Sequence, residues 1–411
     1  MDVMHDRCAG LDVHKDLIVA CVRISTGNRV ATEIQHFGTT TRALIDLAEW
    51  LESHAVETVA MEATGVYWRP VWHILADQFD LLLANPARIK NVPGRKTDVN
   101  DAAWIAQLLS HGLIERSFVP PPTIQEARDL TRTRKQLRRE AVGHSQRIQK
   151  LLEDAGIKVA SVLTDIQGVS GRLMLEALIN GVTDPDELAA LALGKAKNKK
   201  AALREAFRGR VTDHHRFMLR QHLSMIHSIE NTISLIDDRL EVVLLPFRED
   251  IQRLCTIPGV STLAAQVIIA EIGADMSQFH TAANLRSWAR ICPRNDESAG
   301  KKRSKAIQKG AVWLKTVLVQ GAWAASRSKG TYTSAQFRRI RSRGGAKKAA
   351  IAVASSMLTA AYFIIRDKVG YKELGAEYFT QRGKESPAQR YVRGLKELGY
   401  DVQITPTALP A

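Results

Sequence analysis

The chain offers little to several common chemistries. It has four cysteines, Cys8, Cys21, Cys255 and Cys292, and none of them forms a Cys-x-x-Cys pair or a metal-ligand spacing. That excludes a zinc ribbon or a thioredoxin-type redox pair and predicts buried free thiols in a reducing compartment. No Walker-type Gly-x-x-x-x-Gly-Lys-Ser/Thr occurs, so an ATP-driven reaction is not expected. There is no signal-peptide core at the start, and no apolar run that reads as a membrane span of roughly 18 residues. A soluble, cytoplasmic protein with no membrane partner is the expectation. No side-chain code for reading DNA bases is visible either.

What is abundant is positive charge. The 411 residues carry 58 Lys+Arg against 43 Asp+Glu, a formal net charge of +15. Such a surplus points to a polyanionic partner, usually nucleic acid. Its distribution is uneven. Met1 to Pro122 holds 11 basic against 15 acidic residues, whereas Arg286 to Lys348 holds 17 against 2. The second half is built to sit on phosphate and the first is not.

The first 122 residues read as alternating strands and helices. CAGLDVHKDLIVACVRI gives two strands joined by a polar turn, and VATEIQHFGTT a third. TRALIDLAEWLESH has helical periodicity, VETVAMEAT is a short strand, VYWRPVWHILADQF a helix, and DLLLANP a strand closed by proline. A last helix begins in KTDVNDAAWIAQLL. Three strands followed by this alternation is the pattern of the ribonuclease H-like fold. The class is therefore α/β plus all-α. The domains expected are 1–122, ribonuclease H-like; 123–250, a helical coiled-coil middle with a basic insert; 251–365, a mostly helical C-terminal domain; and 366–411, a mixed-charge tail.

In the middle region Leu130, Leu137, His144 and Leu151 recur every seven residues beside Ala127, Arg134, Ala141 and Ile148. A second seam runs through Leu219, Ile226, Ile233 and Leu240, offset from Ile229, Ile236 and Val243. These a/d rows pair two helices, within one chain or across a homo-oligomer. The insert between them carries KAKNKKAALREAFRGR, either a solvated segment or a nucleic-acid contact. TIPGVSTLAAQVIIAEIG, from Thr256, has the look of a helix-hairpin-helix, with IQGVSGRLMLEALI at 166–179 a weaker echo.

Four acids stand on separate elements: Asp12 in the first strand, Glu62 at the end of the fourth, and Asp98 and Asp101 at the start of the last helix of the α/β unit. Singly, each has a plain reading as a turn, strand-end or capping residue. Jointly, a ribonuclease H-like sheet places the first and fourth strands side by side under the last helix. Converging carboxylates repel unless cations sit among them. Two Mg²⁺ ions suit that site and the chemistry of in-line displacement at phosphorus. His14 and Lys15 follow Asp12 closely enough to touch a phosphate. Tyr67 and Trp68 suit packing.

GLDVHKD, MEATGVYW and NPARIKNVPGRKTDVNDAAWIAQLL resemble the N-terminal domain of the DEDD transposases of bacterial insertion elements. TIPGVSTLAAQVIIAEIG and SWARICPRNDESAGKKRSKAIQKGAVWLKTVLVQGA resemble their C-terminal domain, in the same order. The resemblance implies a RuvC-like domain whose metal-binding quartet is Asp12, Glu62, Asp98 and Asp101. It also implies a nucleophilic serine, a structured guide (bridge) RNA, donor and target DNA, and a dimer or tetramer in which the two domains can meet across protomers. The serine falls at Ser298, in Ser-Ala-Gly where the family pattern has Ser-Gly; Ser304 is the rival nearby. Arg294, Lys301, Lys302, Arg303, Lys305 and Lys309 crowd that serine, and Arg338, Arg339, Arg341 and Arg343 form a second basic run. Both suit backbone phosphates. A metal-dependent, structure-specific nuclease that uses water is the alternative.

Overall fold

The structure is a computed structural model that describes residues 2–27, 29–63, 65–89, 101–293, 296–298, 301–304, 310–381 and 387–403. The chain divides into two compact units, 1–119 and 120–411.

Unit one begins with β1 (Arg7–Val13), β2 (Ile18–Thr26) and β3 (Arg29–Phe37). Then come α1 (Thr41–Ser53), β4 (Thr58–Glu62), α2 (Trp68–Leu75), β5 (Asp80–Ala84), the short α3 (Pro86–Ile89) and α4 (Asp101–Ser110). The sheet order is β3-β2-β1-β4-β5. β1, β2 and β3 pair antiparallel, while β4 and β5 join β1 in parallel. The expected order of strands and helices is therefore present. Side chains alternate across the sheet. Ala9, Leu11, Val13, Val59 and Met61 pack with Leu44, Leu47 and Leu51 of α1 and Val71 and Leu75 of α2. The opposite face, with Cys8, Ala60, Leu82 and Ala84, packs on Trp104, Ile105, Leu108 and Leu109 of α4. α1 starts where Thr40 accepts a hydrogen bond from the Ala43 N–H.

The thiols only partly follow expectation. Cys8 and Cys21 are buried, which pushes their thiols up to about 12 and about 11 and makes them inert. Cys255 and Cys292 are half-buried.

Unit two opens with α5 (Pro122–Asp154), entered through Pro121–Pro122, where a missing N–H costs nothing. It continues through α6 (Val159–Val162), α7 (Val169–Ile179), α8 (Pro185–Ala190) and α9 (Lys200–Ala206) to α10 (Asp213–Val243). α11 (Arg248–Cys255), α12 (Thr262–Ile272) and α13 (Ala282–Trp288) follow. A two-stranded ribbon, β6 (Asp296–Ser298) and β7 (Lys301–Ser304), precedes α14 (Val312–Ala325), α15 (Tyr332–Gly344), α16 (Ala346–Asp367), α17 (Tyr378–Gln381) and α18 (Pro387–Glu397).

The two heptad seams face each other. Ala141 and Leu137 of α5 pack on Ile229 and Ile233 of α10. Arg239 of α10 bonds Glu126 near the start of α5, whereas His222 meets His144 further along it, so the pair is antiparallel. The seams thus bury one another within the chain, and an oligomer has no need of them. The insert is more than a solvated segment. Leu163, Ile166, Leu175, Leu178, Leu188, Leu203 and Phe207 form a core of their own against Ile148, Leu152, Leu219 and Leu223.

α12 docks on α5 through a buried carboxylate. Arg132 donates from Nε and Nη2 to Glu271 at 2.8 and 2.9 Å, and Arg128 donates to the carbonyls of Ala270 and Glu271 at 3.1 and 2.7 Å. α11 and α12 pack together as a pair joined by a short turn. Gly259 of its turn has φ +88°, and a Cβ there would lie 2.3 Å from the Gly321 carbonyl of α14, so that turn is committed to packing. Ser261 caps α12 by accepting from the Ala264 N–H at 3.3 Å. In the weaker echo, Gly171 lets α7 fold onto Ile166, whose carbonyl would lie 2.2 Å from a Cβ.

Two expectations need correction. α16 is long and apolar enough to cross a membrane by composition, contrary to the reading that no stretch is. Its residues Ala350, Val353, Ala354, Met357, Leu358, Ala361 and Ile365 are buried, which is a core helix's pattern. The tail is also not an ordinary appendage at its start. Lys368 pairs with Asp250 at 2.9 Å, the Tyr371 N–H donates to Thr256 Oγ at 2.8 Å, and Glu373 accepts from the Tyr332 N–H at 2.7 Å. Phe379 stacks on Tyr332 at 4.9 Å and 24°. Residues 368–379 are strapped across α11 and α15.

Candidate active site

The acids are placed by strand periodicity and by one glycine. Gly10 pairs with Ala60, and Leu11 with Met61. Asp12 and Glu62 are the next residues on each strand, so they stand side by side where parallel β1 and β4 end. Residues two apart share a face. Asp12 therefore shares the face of Gly10, and Glu62 that of Ala60, which is the face covered by α4.

Gly10 sets how close α4 comes. A Cβ at this position would lie 2.3 Å from the Ala102 carbonyl and 2.4 Å from the Ala106 N. Backbone rides directly on backbone. Cys8 lies under the next part of the helix, its thiol 3.5 Å from the Ala106 carbonyl. α4 consequently runs back along β1 with its N-terminus toward Asp12. Asp101, the first residue of α4, precedes Ala102 and is carried to that same end. Three of the four expected acids are thus brought to one end of one sheet face. Asp98 lies outside the described residues.

Asp12 is not alone. His14 Nε2 is 3.1 Å from Asp12 Oδ2, with the imidazole 58% exposed and the carboxylate 22% exposed. The two-residue spacing in Asp-x-His lets the ring fold back after the strand ends, while the His14 N–H donates to the Leu17 carbonyl to close the turn. Lys15 contributes its carbonyl, which accepts from Thr39. Trp68 packs edge-on against Trp72 at 5.9 Å, as expected, but Tyr67 is 41% exposed.

Among the described residues, no three His, Cys, Asp or Glu side chains group closely enough to hold a metal ion by themselves. The donor set fits Mg²⁺ in kind, since carboxylate oxygens are its preferred protein ligands. The fourth acid of the expected set would have to complete it.

Ser298 ends β6 and is paired in register with Lys301 at the start of β7, so it stands at the tip of the ribbon. The rival Ser304 pairs with Asp296 at the other end. Lys301, Lys302 and Arg303 lie on β7. Arg294, Lys305 and Lys309 lie outside the described residues. The sequence reading missed this ribbon. In the second basic run, Arg338 and Arg339 have local partners: Arg338 donates to the Ser334 hydroxyl at 3.2 Å, and the Arg339 guanidinium lies 5.1 Å from the Phe379 ring centroid. Arg341 and Arg343 at the end of α15 are exposed, followed by exposed Lys347 and Lys348.

Likeness to known proteins gives the family. A family model described as transposase, of the DEDD IS110 kind, matches residues 9–157. One described as the transposase IS116/IS110/IS902 family matches residues 251–339. The transposase for insertion sequence element IS1111A of Coxiella burnetii (strain RSA 493 / Nine Mile phase I) is 25% identical over 358 residues, which is 84% of this chain and 86% of that protein. The first match contains Asp12, Glu62 and Asp101, and the second contains the Ser298 ribbon. This chain belongs to the IS110-type DEDD transposase family and is a DNA transposase of an insertion element.

Proposed function

We propose that this transposase cuts and rejoins DNA through a covalent Ser298–DNA intermediate, with Mg²⁺ held by Asp12, Glu62, Asp98 and Asp101 in a ribonuclease H-like, RuvC-type domain. The observation that carries the reading is the shared position of Asp12 and Glu62 beneath the start of α4. Bound Mg²⁺ supplies positive charge that stabilises the attacking and leaving oxygens of an in-line displacement. Everything else falls to the chain. A serine hydroxyl is a weak nucleophile at neutral pH and must lose its proton as it attacks. Attack by Ser298 Oγ forms an O–P bond and breaks the bond from phosphorus to one DNA oxygen, which takes up a proton and leaves as a hydroxyl. The diester count is conserved, so a second DNA end can reverse the step without ATP. Lys301, Lys302 and Arg303 beside the serine offset phosphate charge.

Sequence choice is assigned to a structured guide RNA encoded by the element, the partner that the resemblance to DEDD transposases implies. A homo-oligomer acting in the cytoplasm rests on the resemblance to insertion-element transposases, since the helical seams are satisfied within the chain. Incubating donor DNA, target DNA, guide RNA and Mg²⁺ with wild type and Ser298→Ala tests the serine. Loss of recombinant product is expected. Undiminished product would reject the serine, whereas nicked DNA with no protein adduct, the same from both proteins, would favour a water-using nuclease.

A further inference from the structure

The helical insert carries a cationic surface that the proposed chemistry leaves unused. Between Gly194 and Arg210 stand Lys195, Lys197, Lys199, Lys200, Arg204, Arg208 and Arg210, against a single acid, Glu205. All seven cations are exposed. Three have neighbours: Lys199 donates to the Val162 carbonyl at 2.7 Å, Arg204 pairs with Asp186, and Arg208 pairs with Glu205 at 3.3 Å. Among the described residues, no ion pair engages Lys195, Lys197 or Lys200.

The scaffold beneath is rigid enough to present them. Leu203 and Phe207 are 0% and 3% exposed in the insert's core, and Ser170 fastens the preceding turn by accepting from the Leu193 N–H at 2.9 Å. Gly194–Lys199 is a 3₁₀ turn leading directly into α9. In that geometry residues three apart share a side, so Lys197 and Lys200 project together. From Lys195 to Lys200 the rise is about 10 Å at about 2.0 Å per residue. That is about three base-pair steps of a duplex, at about 3.4 Å per step along the axis.

We infer that this turn of the insert, Lys197 and Lys200 on one side with Lys195 flanking them, is a docking surface for the backbone of duplex DNA, read without regard to sequence. The inference rests on the transposase reading only for the choice of DNA. Structured RNA is the disfavoured occupant: loops and bulges are gripped by stacking splayed bases on aromatic rings, and Phe207, the one aromatic residue of the run, is buried. Lysines on a convex turn suit phosphates instead, each contact releasing counterions.

The test is the salt dependence of binding. Full-length wild type and the triple variant Lys195→Gln/Lys197→Gln/Lys200→Gln are titrated with a duplex of unrelated sequence and with a structured RNA hairpin, between 50 and 200 mM salt and without Mg²⁺. Each lost phosphate contact lowers the log–log slope by about 0.9, so over this range the wild type should lose about 40-fold more duplex affinity than the variant. The Lys→Arg triple should keep the wild-type slope. Unchanged duplex slopes in the Gln variant overturn the inference, and a change seen only with the RNA hairpin overturns the assignment to DNA. None of these titrations involves Ser298 or Mg²⁺, so their failure leaves the proposed reaction standing, and the reverse holds too.

Discussion

Asp12 and Glu62 stand next to each other at the ends of parallel strands β1 and β4, one step beyond the Leu11–Met61 pair. Residues 50 apart in sequence are carried to that one end, and Gly10, two positions before Asp12, lets α4 bring Asp101 to the same end. The site rests on that absent side chain.

Replacing Gly10 should therefore injure the site without touching an acid. In Gly10→Ala the new methyl would meet the Ala102 carbonyl and the Ala106 N at 2.3 and 2.4 Å, and backbone cannot yield as a flexible side chain can. Overpacking of this kind costs roughly 1–3 kcal/mol. Denaturant unfolding should show that loss, and strand transfer should fall further than stability does, because Asp101 moves with the helix. A variant with unchanged midpoint and activity would contradict the placement of α4.

The Arg132–Glu271 pair predicts an asymmetry. Glu271 is 2% exposed, whereas Arg132 is 33% exposed and can reach water. Arg132→Ala leaves a buried carboxylate with Arg128 as its remaining cation and should cost roughly 3 kcal/mol, at the low end for a broken buried pair. Glu271→Gln keeps the shape and one of the two bonds from Arg132, leaves no buried charge behind, and should cost less. Urea midpoints of the two variants check the order.

The α5–α10 pair should weaken in mild acid. His144 Nδ1 and His222 Nδ1 are 3.1 Å apart, so one ring must be neutral to accept the hydrogen bond. Burial, with His144 and Arg147 nearby, holds His222 below its ordinary value. The unfolded chain then takes up a proton first as pH falls. Stability is full above about 6.5 and declines below it until His222 itself protonates in the folded state. Comparing urea midpoints at pH 7.5 and 5.5 should show the loss, and His222→Phe should reduce it.

Much of unit one was legible because its signals are local. Val- and Ile-rich strands and a polar turn define β1 and β2, and an acid at the end of VETVAME marks where β4 stops. The seams of α5 and α10 were legible as rows, but a heptad is the same whether its partner lies in the same chain or another. The insert's core escaped because α6 to α9 are too short for strong periodicity. The serine ribbon escaped for a different reason. DES and KKRS are charged and poor in β-branched residues, so nothing local announces strands. The strap over α11 and α15 depends on single contacts, such as Lys368 with Asp250, that no pattern reveals.

The most direct measurement is mass spectrometry of the protein trapped on its DNA in Mg²⁺. The account predicts a nucleotide linked to Ser298, absent from Ser298→Ala and from Asp12→Asn. DNA cut by wild type with no linked peptide, or with the link on Ser304, would contradict it.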